Sequence, residues 1–243
     1  MISVLKIDQD HTGIGNYAIQ LSKNLNAELL NEPLSNEHYY IDFLKRIIFN
    51  KKINDVLIKG SIFSSGYTGR YTITVIHDFF YADYKKYMDF FGRNSFKFSY
   101  LLSKIQSDYF VAISNYTSSK IHVKNKKVIY PFVENFGQRK TPVFDYIFDS
   151  TFYANKQPEM YEKFSQFVLN KNKDVRIIKL GSRMKNSDVF FAGNITFEQV
   201  KEYYKVSRLF VSFSENEGFG YPLAQSLLIG MPVMVWKNPT YIE

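Results

Sequence analysis

The densest group of residues able to handle a ligand is Ser214-Glu215-Asn216-Glu217-Gly218-Phe219-Gly220-Tyr221-Pro222. Gly218 and Gly220 let backbone amides come close to a bound molecule. A helical pattern carrying Ala224, Leu227 and Leu228 begins just after them, and a helix N-terminus offers positive potential to an anion. Glu217 is a carboxylate able to accept hydrogen bonds from sugar-like hydroxyls. The same residues also fit a plain glycine turn in which an acid caps a helix.

Three further groups carry chemistry of their own. Gly13-Ile14-Gly15-Asn16-Tyr17-Ala18 matches the dinucleotide-binding fingerprint with Ala in the third glycine position, and Glu28 or Glu32 would then be the ribose acid. Asp8-Gln9-Asp10 spaces two carboxylates as a metal-binding pair does, or simply forms a polar loop. His77-Asp78 has the residue types of a hydrolase dyad, but neighbours on a strand point to opposite faces. No Gly-x-Ser-x-Gly elbow accompanies it.

These groups need elements to hold them. Val4 to Ile7, 56–58, 71–76, 110–113 and 127–130 read as strands, and the run after Gly15 through Leu25 reads as a helix. Helical spacing also covers 39–49 and 81–105, with Gly92 as a break, and Ser114 or Thr117 suits the cap of a short helix. Periodicity is lost from Glu134 to Pro142, the best candidate linker. Beyond it, strands fit 143–148, 175–180, 188–191, 208–213 and 233–236, and helices fit 158–169, 197–206 and 221–229. Strands alternating with helices imply parallel sheets. We therefore expect an α/β chain of two Rossmann-like domains, residues 1–135 and 141–243, facing a cleft. The Glu217 loop then lies at the carboxyl end of its strand, where open parallel sheets bind ligands.

Composition narrows the function classes. With no Cys, disulfides, thiolate metal sites and Cys catalysis are excluded. Four scattered His make a zinc site improbable. No apolar run reaches the ~18 residues of a membrane span, and the N-terminus lacks the basic and apolar regions of a signal peptide. A cytoplasmic location is expected. The net charge of +8 is spread along the chain, which does not suit a nucleic-acid arm. The one dense run, Lys120, Lys124, Lys126 and Lys127, fits a solvated face, or peripheral contact with an anionic membrane. A modest positive excess equally suits an anionic small-molecule substrate.

Residues 188–235 resemble retaining glycosyltransferases of GT-B fold, family four. The resemblance runs from Asp188-Val189-Phe190-Phe191-Ala192-Gly193 through Glu198, Tyr203 and Glu217-Gly218-Phe219-Gly220-Tyr221-Pro222 to Gly230-Met231-Pro232-Val233. It continues upstream in Thr12-Gly13-Ile14-Gly15-Asn16-Tyr17, Val75-Ile76-His77-Asp78, Ala112-Ile113-Ser114-Asn115-Tyr116-Thr117 and Tyr153-Ala154-Asn155-Lys156-Gln157. The motifs are collinear and span nearly the whole chain, and the Glu217 block is the specific one.

The resemblance implies a nucleoside-diphosphate sugar as donor substrate, with no cofactor and no metal, and an unidentified glycosyl acceptor on the first domain. Glu217 would contact the donor sugar's hydroxyls beside the amides of Gly218, Phe219 and Gly220. Lys156 would hold the diphosphate, Gly13 and Gly15 would offer backbone from the first domain, and His77 would line the sugar pocket. Asn194 and Ile195 would border the nucleobase. Gln225 stands where the family's motif has a second Glu facing the ribose, and Asn155 stands where it has Arg. The chain ends at Glu243, soon after Val233–Trp236, which implies an abbreviated member. Two other readings remain at this point: an interaction protein on the same fold without catalysis, and a dinucleotide-binding oxidoreductase. The Asp8-Gln9-Asp10 pair would otherwise suit the metal motif of the other glycosyltransferase fold.

Overall fold

A computed structural model of the 243-residue chain describes residues 1–6, 13–31, 51–63, 67–79, 90–151, 153–186, 188–193 and 195–243. It divides into two compact units, Met1–Phe132 and Val133–Glu243. The helix expected over 39–49, the first part of that expected over 81–105, Asp8-Gln9-Asp10, Thr12, Glu32 and Asn194 lie outside the described residues.

The first unit contains β1 (Ile2–Lys6), α1 (Gly13–Leu25), β2 (Glu28–Asn31), β3 (Lys51–Lys59), β4 (Tyr67–Ile76), α2 (Phe90–Gln106), β5 (Tyr109–Ala112), α3 (Asn115–Lys120) and β6 (Lys126–Val128). Its sheet runs β2-β1-β3-β4-β5-β6 with every pairing parallel. The order reverses between β1 and β3. There Gly60 lies so close to β1 that an added Cβ would sit 3.0 Å from the Leu5 carbonyl. Sequence reasoning missed β2, a short edge strand whose Glu28 accepts a hydrogen bond from Ser3 Oγ at 3.2 Å. Gly92 does not break α2, which runs through it from Phe90 to Gln106. His77 and Asp78 are not on a strand, because β4 ends at Ile76.

Ser114 caps α3, its Oγ accepting from the Thr117 amide at 3.1 Å. The lysine run that follows is not one patch. Lys126 turns inward, donating to the Ser118 and Ile121 carbonyls at 2.7 Å each. A cation on the last carbonyls of a helix answers both its unpaired acceptors and its dipole.

The second unit contains β7 (Phe144–Ser150), a 3-10 turn (Ala154–Lys156), α4 (Pro158–Lys171), β8 (Ile177–Gly181), β9 (Phe190–Phe191), α5 (Phe197–Lys205), β10 (Ser207–Ser212), α6 (Tyr221–Leu228) and β11 (Val233–Val235). Each helix start has a local cause. Pro158 opens α4, a Thr196–Gln199 capping box opens α5, and Gly220 with Pro222 opens α6. The parallel sheet runs β11-β10-β7-β8-β9, so the chain winds outward from β7 in one direction and then restarts at β10 in the other.

Successive residues of these strands feed opposite faces, and both faces are buried. Ile147, Ile178 and Phe210 pack with Tyr204 of α5 and Leu223 of α6. Phe148, Ile177 and Val211 pack with Tyr161 of α4. This two-sided burial explains why the strands read as continuous apolar runs in the sequence. Each fully buried side chain of this size stabilises the unit by about 1.5–3 kcal/mol. No helix among the described residues is long and apolar enough to cross a membrane.

Candidate functional site

In an open parallel sheet the ligand crevice opens where the strand order reverses, outside the carboxyl ends of the two strands concerned. In the second unit those strands are β7 and β10. Lys156 follows the first and Glu217 follows the second. Lys156 Nζ and Glu217 Oε1 form an ion pair.

The two segments are tied to each other residue by residue. The Glu215 amide donates to the Asn155 carbonyl at 2.9 Å, and Gln157 Nε2 donates to Glu215 Oε1 at 2.7 Å. Asn155 is buried, its Nδ2 reaching the Asn216 carbonyl at 3.4 Å. The position where the resemblance places a cation is therefore used as a cross-link between loops. Below them, the hydroxyl of Tyr161 in α4 accepts from the Phe213 amide at 3.2 Å, which fixes the exit of β10. Burial pushes that phenol's pKa up, so it stays a neutral partner.

The segment after β11 locks the Glu217 loop from its other side. Asn238 Nδ2 donates to the Ser214 carbonyl at 2.9 Å, and Thr240 Oγ1 donates to the Glu217 carbonyl at 2.6 Å. Tyr241 OH donates to Glu217 Oε1 at 3.3 Å. Sequence reasoning missed these three residues, and nothing in their types or spacing singles them out.

Gly220 closes the loop and starts α6 with φ near +87°, in the left-handed region that glycine adopts freely. No side chain caps that end, and none caps α4, where Gln157 stands at the N-cap. In each first turn a proline, Pro158 or Pro222, removes one backbone N–H, and in α4 the Met160 amide donates to the Gln157 carbonyl at 2.9 Å. Both helices start from the switch point. The amide of Asn216, buried with neither Nδ2 nor Oδ1 hydrogen-bonded, lies in the same loop. A buried polar group in that condition calls for an ordered water or a ligand atom.

Asp149 and Lys179 place charged groups in the middle strands of the sheet. Asp149 of β7 accepts from Tyr204 OH at 2.7 Å. Burial pushes its carboxyl up, with Tyr204 and then Lys179 acting against that rise; Lys156 and Glu217 also act on it. Lys179 of β8 donates to the carbonyls of Ser150 and Leu180. Burial lowers its pKa to about 8, partly countered by Asp149. A charge set between Ile178 and Leu180 was the sequence signal for Lys179.

A cavity of about 330 Å³ opens beyond β8 and β9, lined by Arg183, Met184, Asn186, Phe190 and Phe191 among others. The Arg183 guanidinium lies 5.9 Å from the centre of the Phe191 ring. Ile195 packs instead against the core around Tyr204 and Phe210. Gln225 is buried in α6. In the first unit Gly13 opens α1 and Gly15 is buried in its first turn. His77 Nε2 is 2.8 Å from the Gly60 carbonyl, and its ring meets Tyr17 edge-on at 5.1 Å. The structure thus brings Lys156, Glu217 and the glycines of the 218–220 turn together in one unit. Among the described residues no group of three His, Cys, Asp or Glu is arranged to hold a metal ion.

Residues 157–243 match the family profile described as "Glycosyl transferases group 1". No curated protein sequence matches significantly. Solved structures do match over nearly the whole chain. HepE from Anabaena, crystallised with UDP and glucose, is 10% identical with a TM-score of 0.67, covering 99% of this chain and 82% of that one. Sucrose-phosphate synthase from Thermosynechococcus elongatus is 12% identical with a TM-score of 0.68, covering 96% and 80%. WaaG, a glycosyltransferase involved in lipopolysaccharide biosynthesis, is 10% identical with a TM-score of 0.68, covering 97% and 80%. At such identities the likeness is one of fold: the chain has two Rossmann-like sheets of the GT-B type.

Proposed function

We propose that the chain is a glycosyltransferase that moves a hexose from a nucleoside-diphosphate sugar to an acceptor hydroxyl, with retention of anomeric configuration and without a metal. The observation that carries this reading is Lys156 beside Glu217 at the β7/β10 switch point, next to two helix N-termini without side-chain caps. The profile match over 157–243 covers Glu217 and the starts of α4 and α6 but not Lys156, and a neighbour of the same fold was crystallised with UDP and glucose.

In this reading the diphosphate lies against Lys156 and the amides that open α4 and α6. Breaking the bond from sugar to phosphate leaves negative charge on the phosphate oxygen, which a fixed ammonium and amide dipoles stabilise. That oxygen then takes the proton of the acceptor hydroxyl, so no separate general base is needed. Glu217 accepts hydrogen bonds from the sugar, and Gln225 stands on the ribose side. The cavity beyond β8 and β9, with Arg183 and Phe191, takes the nucleobase; the assignment of Asn194 and Ile195 to the nucleobase rests on their motif alone. The assignments of Gly13, Gly15 and His77 to the donor rest on their motifs, as does peripheral contact of the basic residues with an anionic membrane.

The test is a thermal-shift screen with nucleoside diphosphates and their sugars, because a ligand that binds only the folded state raises its midpoint. Release of the diphosphate from the best sugar nucleotide then measures turnover. A screen without any shift at millimolar ligand would reject the reading. The second reading, an interaction protein on this fold, draws on Asn155, which is spent on loop packing rather than presented as a cation.

A further inference from the structure

The Glu217 carboxylate has two partners of different kinds. Lys156 gives it a charge, and Tyr241 gives it a neutral hydroxyl at 3.3 Å on the same Oε1. The phenol oxygen is also 3.2 Å from Ser212 Oγ, and the Tyr241 amide donates to Asn238 Oδ1 at 2.9 Å. The ring lies against Gly220, where an added Cβ would come within 2.6 Å of Cε1. Tyr241 is thus fixed by Ser212, Asn238 and Gly220 before it touches Glu217. Burial raises the phenol's pKa, and the Glu217 charge raises it further, so the hydroxyl keeps its proton to donate.

A diphosphate changes the balance at this carboxylate. It brings two or more negative charges to the ammonium that Glu217 holds in the free protein. Two anions then compete for one cation, and the carboxylate, the less charged of them, is repelled. Unless something else holds it, it swings away from the place where the sugar hydroxyls would meet it.

We propose that Tyr241 is a positioning residue that keeps the Glu217 carboxylate on the sugar once the donor's diphosphate has taken over Lys156. This rests on the donor-site reading above and deepens it. Lys156 and Tyr241 divide the work: the first answers the phosphate, and the second preserves the geometry that tells a sugar nucleotide from a bare nucleotide. Thr240 holds the backbone of the same residue, so only the side-chain orientation depends on the phenol.

The full chain, Tyr241→Phe, Glu217→Gln and the double variant should be titrated calorimetrically. The probes are UDP, GDP and ADP, each paired with UDP-glucose, GDP-mannose and ADP-glucose. The quantity read is the affinity for the sugar nucleotide divided by that for its own diphosphate. Tyr241→Phe should lower this ratio about threefold to tenfold, as loss of one hydrogen bond does. Affinity for the bare diphosphate should stay within about twofold, because the ring still fills its place beside Gly220. In the Glu217→Gln background the same substitution should change the ratio no further. Equal loss for sugar nucleotide and diphosphate, or an undiminished effect in the double variant, overturns the role of Tyr241 and leaves the donor site standing. Failure of the unaltered chain to bind any of the six overturns the donor site itself, and Tyr241's role with it. If Tyr241→Phe does not fold, Ser212→Ala removes the phenol's other hydroxyl anchor and should lower the ratio in the same direction. An unchanged ratio there counts against the proposal.

Discussion

Lys156 and Glu217, 61 positions apart, meet as an ion pair at the mouth of the second sheet. Their side chains keep only 21% and 15% of their exposure, so the pair is partly shielded from solvent and salt. The cation proposed for the diphosphate is thus engaged by the acid proposed for the sugar. Ligand binding at this point becomes an exchange of partners.

The exchange gives opposite signs for the two substitutions. Lys156→Ala should weaken nucleoside-diphosphate binding about tenfold to a hundredfold at low salt, the range for loss of a charged hydrogen bond, and less at high salt. Glu217→Gln frees the ammonium and should strengthen binding of the bare diphosphate up to about fivefold, while turnover of the sugar nucleotide falls. Calorimetry at two salt concentrations with a diphosphate-release assay checks both. Equal weakening by the two variants would contradict the exchange.

Gln225→Glu restores the acid that the resemblance places near the ribose. It should strengthen nucleotide binding about threefold to tenfold, because charged hydrogen bonds outweigh neutral ones. Silence of both Gln225→Glu and Glu217→Gln in binding and turnover would favour the interaction-protein reading.

Gly220→Ala should destabilise the second unit through two separate effects. A non-glycine residue at φ near +87° costs about 1–2 kcal/mol, and the new Cβ meets the Tyr241 ring. Tyr241→Ala added to it relieves the contact and not the dihedral, so the double variant should recover part of the contact penalty only. Thermal unfolding of the three variants measures this.

Lys179 predicts a pH dependence of stability. Its pKa is about 8 in the folded protein against 10.5 for an ordinary lysine. Below pH 8 both states hold the proton, and the full cost of burying an ammonium is present. Between pH 8 and 10.5 the unfolded chain binds more protons, so this group's contribution makes stability rise with pH. Compared with Lys179→Met, the unaltered protein should gain up to about 2 kcal/mol between pH 8 and 10. Above pH 10 the buried phenols Tyr161, Tyr204 and Tyr241, whose pKa values are raised, act the opposite way. Denaturant titrations from pH 7 to 10 stay within the informative window, and a flat difference would refute the assignment.

Transfer should proceed undiminished in a chelator. The described residues offer no cluster of three His, Cys, Asp or Glu. Loss of activity with recovery on adding manganese would redirect attention to Asp8 and Asp10.

The sequence by itself determined what depends on a few neighbouring residues. Alternating apolar strands and periodic helices announced the α/β class, and Ser114 marked where a short helix begins. The Glu217 loop was legible for the same reason, since a strand end, two glycines and a helix start are contiguous. Strand order was not, because periodicity shows that a strand is buried and not which strand lies beside it. Only that order puts the switch point between β7 and β10 and so brings Lys156 to Glu217. Tyr241 reaches the same carboxylate across 24 positions, and Asn155 turns inward to the neighbouring loop instead of facing a phosphate. Such meetings are decided by how close-packed layers fit together, and that fit involves residues with no regular spacing in the chain.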